Sequence, residues 1–343
     1  MKYQEKMATS KVDRTLKFIG TGAKIGGNYL KHYAKKAINP GLEKEELHKE
    51  NAEDIYQTLS QLKGSALKVA QMLSMDKAVL PKAYSDKFSM AQYQAPPLSA
   101  PLVVQTFVKS LGAKPTDLFD SFSSQALHAA SMGQVHEAFL NEKRLAVKIQ
   151  YPGVAESIQS DLKLVKPIAL RMLNLSEKEL QKYLEEVESK LLEETDYQLE
   201  LKRSQEIAAS CSHLQDVVFA NYYPEFSGRR VLTMDWLSGK HLNEFLQDQP
   251  SQEIRNKAGQ ALWEFYIHQI HQLRSVHADP HPGNFLFQQD GKVGVIDFGC
   301  VKEIPDDFYF DYFALILPGI QHQETLLEQI MERIEMLQER DNK

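Results

Sequence analysis

Two cysteines, Cys211 and Cys300, are all that the 343 residues contain. That excludes a disulfide-stapled scaffold and fits a reducing cytoplasm. Cys300 reads as a small buried residue rather than a reactive thiol. Long apolar runs are missing as well. Nothing approaches the ~20 residues that carry a helix across a bilayer, and the longest run near the end, Phe313-Ala314-Leu315-Ile316-Leu317, is cut off by Pro318 and Gly319. The opening residues lack the apolar core and cleavage site of a secretory signal. No Walker A lysine motif occurs. Gly20-Thr21-Gly22-Ala23-Lys24-Ile25-Gly26 imitates a nucleotide fingerprint, but its last glycine comes one residue late. No acidic residue follows it at the distance a βαβ unit requires.

What remains is an ordinary globular composition, 43% hydrophobic and 25% charged, with a length suited to one bilobal domain or two small ones. The net charge of −6 is unevenly spread. Residues 1–40 carry nine Lys/Arg against Glu5 and Asp13, a local +7, which leaves −13 for the rest. Leu16, Ile19, Ala23, Gly26, Leu30 and Tyr33 recur there at three- and four-residue steps, an apolar helical stripe. Such a basic amphipathic helix suits either an anionic membrane surface or docking on the chain's own body with a solvated basic face. Nucleic-acid binding is the poorer reading, because the remaining chain is acidic and no known module appears.

One dense segment carries the chemistry. His277-Ala278-Asp279-Pro280-His281-Pro282-Gly283-Asn284 is followed by Val295-Ile296-Asp297-Phe298-Gly299. Asp279 stands five residues before Asn284 and eighteen before Asp297. Kinase-like phosphoryl transfer uses that spacing for a catalytic-loop Asp, a metal-ligating Asn and a metal-ligating Asp. Hard Mg²⁺ ions need oxygen ligands, and a further carboxylate must face the nucleophile. His277 and His281 are four apart, but Pro280 and Pro282 exclude the helix on which such a pair binds zinc. His277 is assigned the place of a catalytic-loop histidine and His281 loop packing or substrate contact.

Upstream, Leu145-Ala146-Val147-Lys148-Ile149 reads as a strand carrying a phosphate-anchoring lysine. Its acidic partner is Glu194 or Glu200. On one continuous helix the two point in different directions, so they have different jobs. The glycine-rich loop that ordinary kinases place before this strand is absent. Ala129-Ala130-Ser131-Met132-Gly133-Gln134-Val135-His136 stands there, a stiffer turn whose backbone N–H groups still suit phosphate.

These motifs, in this order, resemble the UbiB/AarF family of atypical kinase-like proteins, which includes mitochondrial coenzyme Q proteins. Lys68-Val69-Ala70-Gln71 matches the family's Lys-x-Gly-Gln signature. Ala129, Ala130 and Ser131 with Gln134, Val135 and His136 match its alanine-rich loop. Lys148, Glu194 with Asp196, Asp279 with Asn284, and Asp297 complete the set, over roughly residues 50–310. Ala70 departs from the family glycine, and His128 from the first loop alanine. The resemblance implies an α+β, bilobal protein-kinase-like fold: a small mixed N-lobe, a mainly helical C-lobe, and a helical N-terminal extension over the active site. It also implies ATP and Mg²⁺ as cofactors. The implied activity is ATP hydrolysis or phosphorylation of a small or lipid-associated molecule, linked to isoprenoid-quinone (ubiquinone) or lipid metabolism. Lys68 and Gln71, with Glu194 and Asp196, would fill space a peptide would need. Lys148, Glu200, Gly133, Gln134 and the loop before them would bind ATP, Asp279 would act in catalysis with Lys148 and Lys68, and Asn284 and Asp297 would hold metal.

Along the chain this gives an extension over 1–100, with the basic segment 1–38 and a long helix over 43–75. An N-lobe follows over 101–237 and a C-lobe over 238–343. Helices are expected over 103–111, 156–174, 177–205 and 251–274, and strands near 135–140, 145–150, 217–220 and 230–235. The last strand should reach the hinge, with Met234 the gatekeeper or plain core and Asp235 beside adenine. Many relatives continue past this length, so the chain reads as a short member or a piece of a longer one. A nucleotide-binding pseudokinase is the runner-up. An ordinary protein kinase is third, since no Ala-Pro-Glu and no long activation segment follow Asp297.

Overall fold

The computed structural model describes residues 11–39, 41, 44–62, 68, 82–89, 97–129, 132–172 and 177–336. The chain forms two compact units. One comprises Met1–Lys202 with Ala220–Trp236, the other Arg203–Phe219 with Leu237–Lys343.

The first unit is built on a five-stranded antiparallel sheet of β1 (Ser121–Phe122), β2 (His128–Ala129), β3 (Gly133–Leu140), β4 (Lys143–Gln150) and β6 (Val231–Asp235). Its order is β1-β3-β4-β6, with β2 also pairing β3. Val147 lies opposite His136 and Thr233, and Lys148 opposite Val135 and Leu232. Gly133 opens β3 because nothing larger fits: a Cβ there would stand 2.5 Å from the Ile149 carbonyl and 2.8 Å from the Tyr197 hydroxyl. Of the helices, α1 spans Lys11–Ile38, α2 Glu45–Leu62, α3 Lys82–Ser89 and α4 Ala100–Leu111. α4 begins with Pro101 in its first turn and ends at Gly112, whose φ of 75° lets its N–H reach the Val108 carbonyl. α5 spans Val154–Met172, α6 Glu177–Glu194 and α7 Tyr197–Ser210, which runs on into the second unit. Phe107, Leu145, Ile149 and Ile158 are fully buried in one core with Tyr56 and Leu59 of α2.

Two expectations change here. The helix over 177–205 breaks at Thr195–Asp196. Asp196 is a better cap than a mid-helix residue: its Oδ1 accepts the Gln198 and Leu199 N–H groups at 3.1 and 3.3 Å. Gln150 fixes the break from the sheet by donating to the Thr195 carbonyl at 2.9 Å. The apolar stripe of α1 is not its docking face. Leu16, Ile19, Leu30 and Tyr33 are 61, 63, 75 and 54% exposed. The helix docks through polar groups instead. Arg14 pairs with buried Asp161 of α5, Nε to Oδ1 at 2.6 Å, Thr21 bonds Thr58, and Asn28 bonds Asn51 and Asp54 at 3.0 Å. The imitation fingerprint, Gly20 to Gly26, is helical throughout. Of the long helix expected over 43–75, α2 and Lys68 are described. Ala70 and Gln71 lie outside the described residues.

The second unit holds a three-stranded sheet, β5 (Val217–Phe219) parallel to β9 (Val293–Val295) and β9 antiparallel to β8 (Phe285–Phe287). A two-stranded ribbon joins β7 (Ser275–His277) to β10 (Val301–Glu303). Helix α8 spans Leu242–Gln247, α9 Gln252–His268, α10 Asp306–Ala314 and α11 Glu324–Arg333. Ser251 caps α9 through the Ile254 N–H. The helix expected to continue to 274 widens to π geometry over Gln269–Leu273 and stops at Arg274, φ 53°. The core gathers Phe265, Val295 and Phe298.

Candidate active site

In the first unit Lys148 projects from β4 onto Glu200, in the first turn of α7 that Asp196 starts. Nζ stands 2.9 and 3.1 Å from the two carboxylate oxygens, with side-chain exposures of 8 and 1%. The Tyr197 ring lies 5.1 Å from the same ammonium. Lys68 meets the other glutamate: its Nζ is 2.9 Å from Glu194 Oε1, both side chains 10% exposed. The two glutamates thus serve two lysines. They differ because a helix break separates them, not because of rotation along one helix. Asp196 spends its carboxylate on the cap.

The loop residues divide. Ala130 and Ser131 lie outside the described residues, and Ala129 pairs with Gln134 across β2–β3. The Gln134 side chain is fully buried; it accepts the Leu98 N–H at 2.8 Å and donates to His136 Nε2 at 2.8 Å. His136 in turn donates Nδ1–H to the Ser123 carbonyl at 2.8 Å, and burial lowers its pKa. His128 lies against the Trp236 ring, 6.1 Å between centroids, and Arg144 stacks on that ring at 4.0 Å. Met234 is buried opposite Ala146. The Asp235 carboxylate accepts from the Tyr223 hydroxyl and from Asn221 Nδ2, both at 2.6 Å. Burial, together with that carboxylate, raises the Tyr223 pKa to about 12.

The second unit holds the other set. His277 is buried between Phe285 and Phe298 and donates Nε2–H to the Asp297 carbonyl at 2.7 Å. Burial lowers its pKa, against the pull of the Asp297 and Asp279 carboxylates. A neutral imidazole therefore ties the two motifs together. Asp297 Oδ1 accepts the Gly299 N–H at 2.8 Å, and Phe298 is fully buried against Phe219. Asn284 donates Nδ2 to the Asp279 carbonyl at 2.9 Å, so its amide oxygen is the atom suited to a cation. His281 Nδ1 accepts the Gly283 N–H at 2.9 Å and closes the loop between Asp279 and Asn284. Burial raises the pKa of the Tyr266 hydroxyl, with the Asp279 carboxylate adding to it.

Among the described residues no group of three or more His, Cys, Asp or Glu could hold a metal alone. Two oxygen donors on one loop and one turn are what Mg²⁺ uses when phosphates and water complete its shell. Two groups had no sequence signal. Gln269, fully buried in the π segment, accepts the His277 N–H at 2.8 Å and donates to the Phe265 carbonyl at 3.1 Å. Arg274, beside it, is the other.

Residues 90–331 match the ABC1 atypical kinase-like domain. The chain belongs to that family. It is 28% identical over 95% of its length to "Probable serine/threonine-protein kinase abkA" of Dictyostelium discoideum, covering 61% of that protein. To "Atypical kinase COQ8, mitochondrial" of Saccharomyces cerevisiae it is 29% identical over 90% of its length, covering 62%. A solved structure, that of Rv3197 of Mycobacterium tuberculosis in complex with erythromycin, superposes with a TM-score of 0.58 at 30% identity. It covers 84% of this chain and 74% of that one. The fold is kinase-like, with the mixed sheets and helices described above. This chain spans less than two thirds of the length of the curated relatives it matches.

Proposed function

We propose that this ABC1-family chain is an ATP-binding atypical kinase or ATPase whose phosphoryl transfer depends on Mg²⁺. The observation that carries this reading is the order within the second unit. Buried His277 fixes the Asp297 backbone and Asn284 fixes that of Asp279, so two carboxylates and one amide are set in place within one unit at the spacing phosphoryl transfer uses. Lys148, oriented by Glu200, is suited to phosphate oxygens. Asp297 Oδ2 and Asn284 Oδ1 suit a divalent cation, which when bound screens phosphate charge. Asp279 is the acid–base group for the acceptor's proton. The buried Lys68–Glu194 pair supports a small or lipid-associated acceptor over a peptide, as does the short path from Asp297 to α10. A quinone precursor is the acceptor class that the family resemblance favours.

The outward apolar stripe of α1 supports a second element of the reading, peripheral contact with an anionic membrane. Lys17, Lys24, Lys31 and Lys35 share one side of the helix between that stripe and the docking face, with Lys24 also 3.6 Å from Asp54; long lysine stems on such a side can reach lipid headgroups. No helix among the described residues is long and apolar enough to cross a bilayer.

The test is ATP consumption over many turnovers with Mg²⁺, run alone, with a phenolic quinone-precursor mimic, and with a peptide library. The reading expects turnover in the first arm, stimulation in the second and no peptide phosphorylation in the third. Binding without turnover in any arm would favour a pseudokinase.

A further inference from the structure

Arg274 sits where the chain leaves the π segment of α9 for β7, with φ 53° and ψ 26°. That left-handed conformation favours glycine, and a long cationic residue bears strain there that its contacts must offset. The contacts are unusual in number. One guanidinium nitrogen donates to the carbonyls of Ile270 and His271 at 3.0 and 2.6 Å, closing the end of the helix. The guanidinium plane lies 3.1 Å from the centre of the Tyr309 ring, on α10. Its Nε is 3.6 Å from Asp306, at the start of that helix. The Arg274 carbonyl accepts the Ile304 N–H at 2.7 Å, which continues the β7–β10 ribbon. The Tyr309 hydroxyl bonds His271 Nδ1 at 2.6 Å from the other side.

We propose that Arg274 is a positioning residue that fastens the segment after Asp297-Phe298-Gly299 to the root of the loop bearing Asp279. The geometry assigns the job to Arg274 because its side chain joins the end of α9 to α10 while its backbone starts the β7–β10 ribbon. Kinase activation segments are commonly ordered by an arginine that binds a phosphorylated residue. Here the same cation already contacts an aromatic ring and two carbonyls, with an aspartate 3.6 Å from its Nε. The segment is therefore held without any covalent modification. The effect on turnover rests on the function proposed above; the effect on order does not.

The experiment compares wild type with Arg274→Ala, Arg274→Lys and Tyr309→Ala, by hydrogen exchange and by steady-state kinetics. Arg274→Ala is expected to raise exchange over residues 301–314 about tenfold, the mark of a local opening. It should lower kcat about tenfold or more with KM for nucleotide little changed, because positioning rather than binding is lost. Lysine should not rescue it, since it has neither the planar fork nor the stacking face. Tyr309→Ala should raise exchange over the same residues, and it decides the matter if Arg274→Ala does not fold. The proposal is overturned by unchanged exchange in that segment, by rescue with lysine, or by equal losses in affinity and kcat. A wild-type protein without turnover would refute the proposed function, while the exchange comparison would still decide the clamp.

Discussion

Lys148 and Glu200 face each other with almost no solvent on either side chain, so neither charge can be removed alone without cost. Glu200→Ala leaves a buried ammonium and should destabilise the fold by about 3–5 kcal/mol in denaturant unfolding. Lys148→Ala should weaken Mg²⁺–ATP binding at least about tenfold by calorimetry, the scale of one charge-assisted contact; wild-type affinity would remove Lys148 from the site. Proton linkage adds a second expectation. His277 and His136 have pKa values lowered mainly by burial, so the native state stays neutral while the unfolded chain takes up protons below about 6.5. Their contribution is whole above that pH and is lost as pH falls toward the lower folded values. The melting midpoint should therefore drop between pH 7 and 5.5, and by less in a His136→Gln variant. The grouping of Asp279, Asn284 and Asp297 was legible in sequence because their spacing along the chain is fixed. Gln269 and Arg274 were not, because only the fold turns Gln269 onto the His277 N–H and sets Arg274 against Tyr309.

At the scale of elements, two features rest on contacts with no local signature. Apolar periodicity shows that a helix has faces; it does not show which face a neighbour will take. α1 is held by Arg14 on an aspartate 147 residues away, a contact with no local signature. The helix over 177–205 has continuous helical propensity, yet Asp196 and the Gln150–Thr195 bond divide it. Asp196→Ala should cost about 1 kcal/mol through the lost cap and loosen Glu200 along with it, seen as faster exchange in the first turn of α7. The strands at 133–140 and 143–150 were clear from alternation, since their pairing is local. For α1, paired Leu16→Glu and Ile19→Glu changes touch only the exposed stripe. They should leave the melting midpoint unchanged and weaken binding to vesicles rich in anionic lipid at least about tenfold. Equal binding by the variant, or none by the wild type, would remove the membrane from the account.

At the scale of the molecule, each of the two units carries a complete local arrangement: a lysine pinned by glutamate in one, and a loop and turn locked by His277, Gln269 and Asn284 in the other. The kinase-like fold was legible in sequence because the order of motifs along the chain is itself a topological statement. The placing of 203–219 in the second unit was less so, since β5 at 217–219 joins it by pairing with β9, and short parallel pairing has no sequence signal of its own. The central claim is that this chain moves a phosphoryl group with Asp279 as the acid–base residue. It is tested most directly by measuring Mg²⁺–ATP affinity and turnover together for wild type and Asp279→Asn. The account predicts Mg²⁺-dependent turnover in the wild type, and in the variant unchanged affinity with turnover lower by about a hundredfold or more, the scale of a positioned acid–base group. Turnover in the variant equal to wild type, or affinity and turnover lost in equal measure, would contradict it.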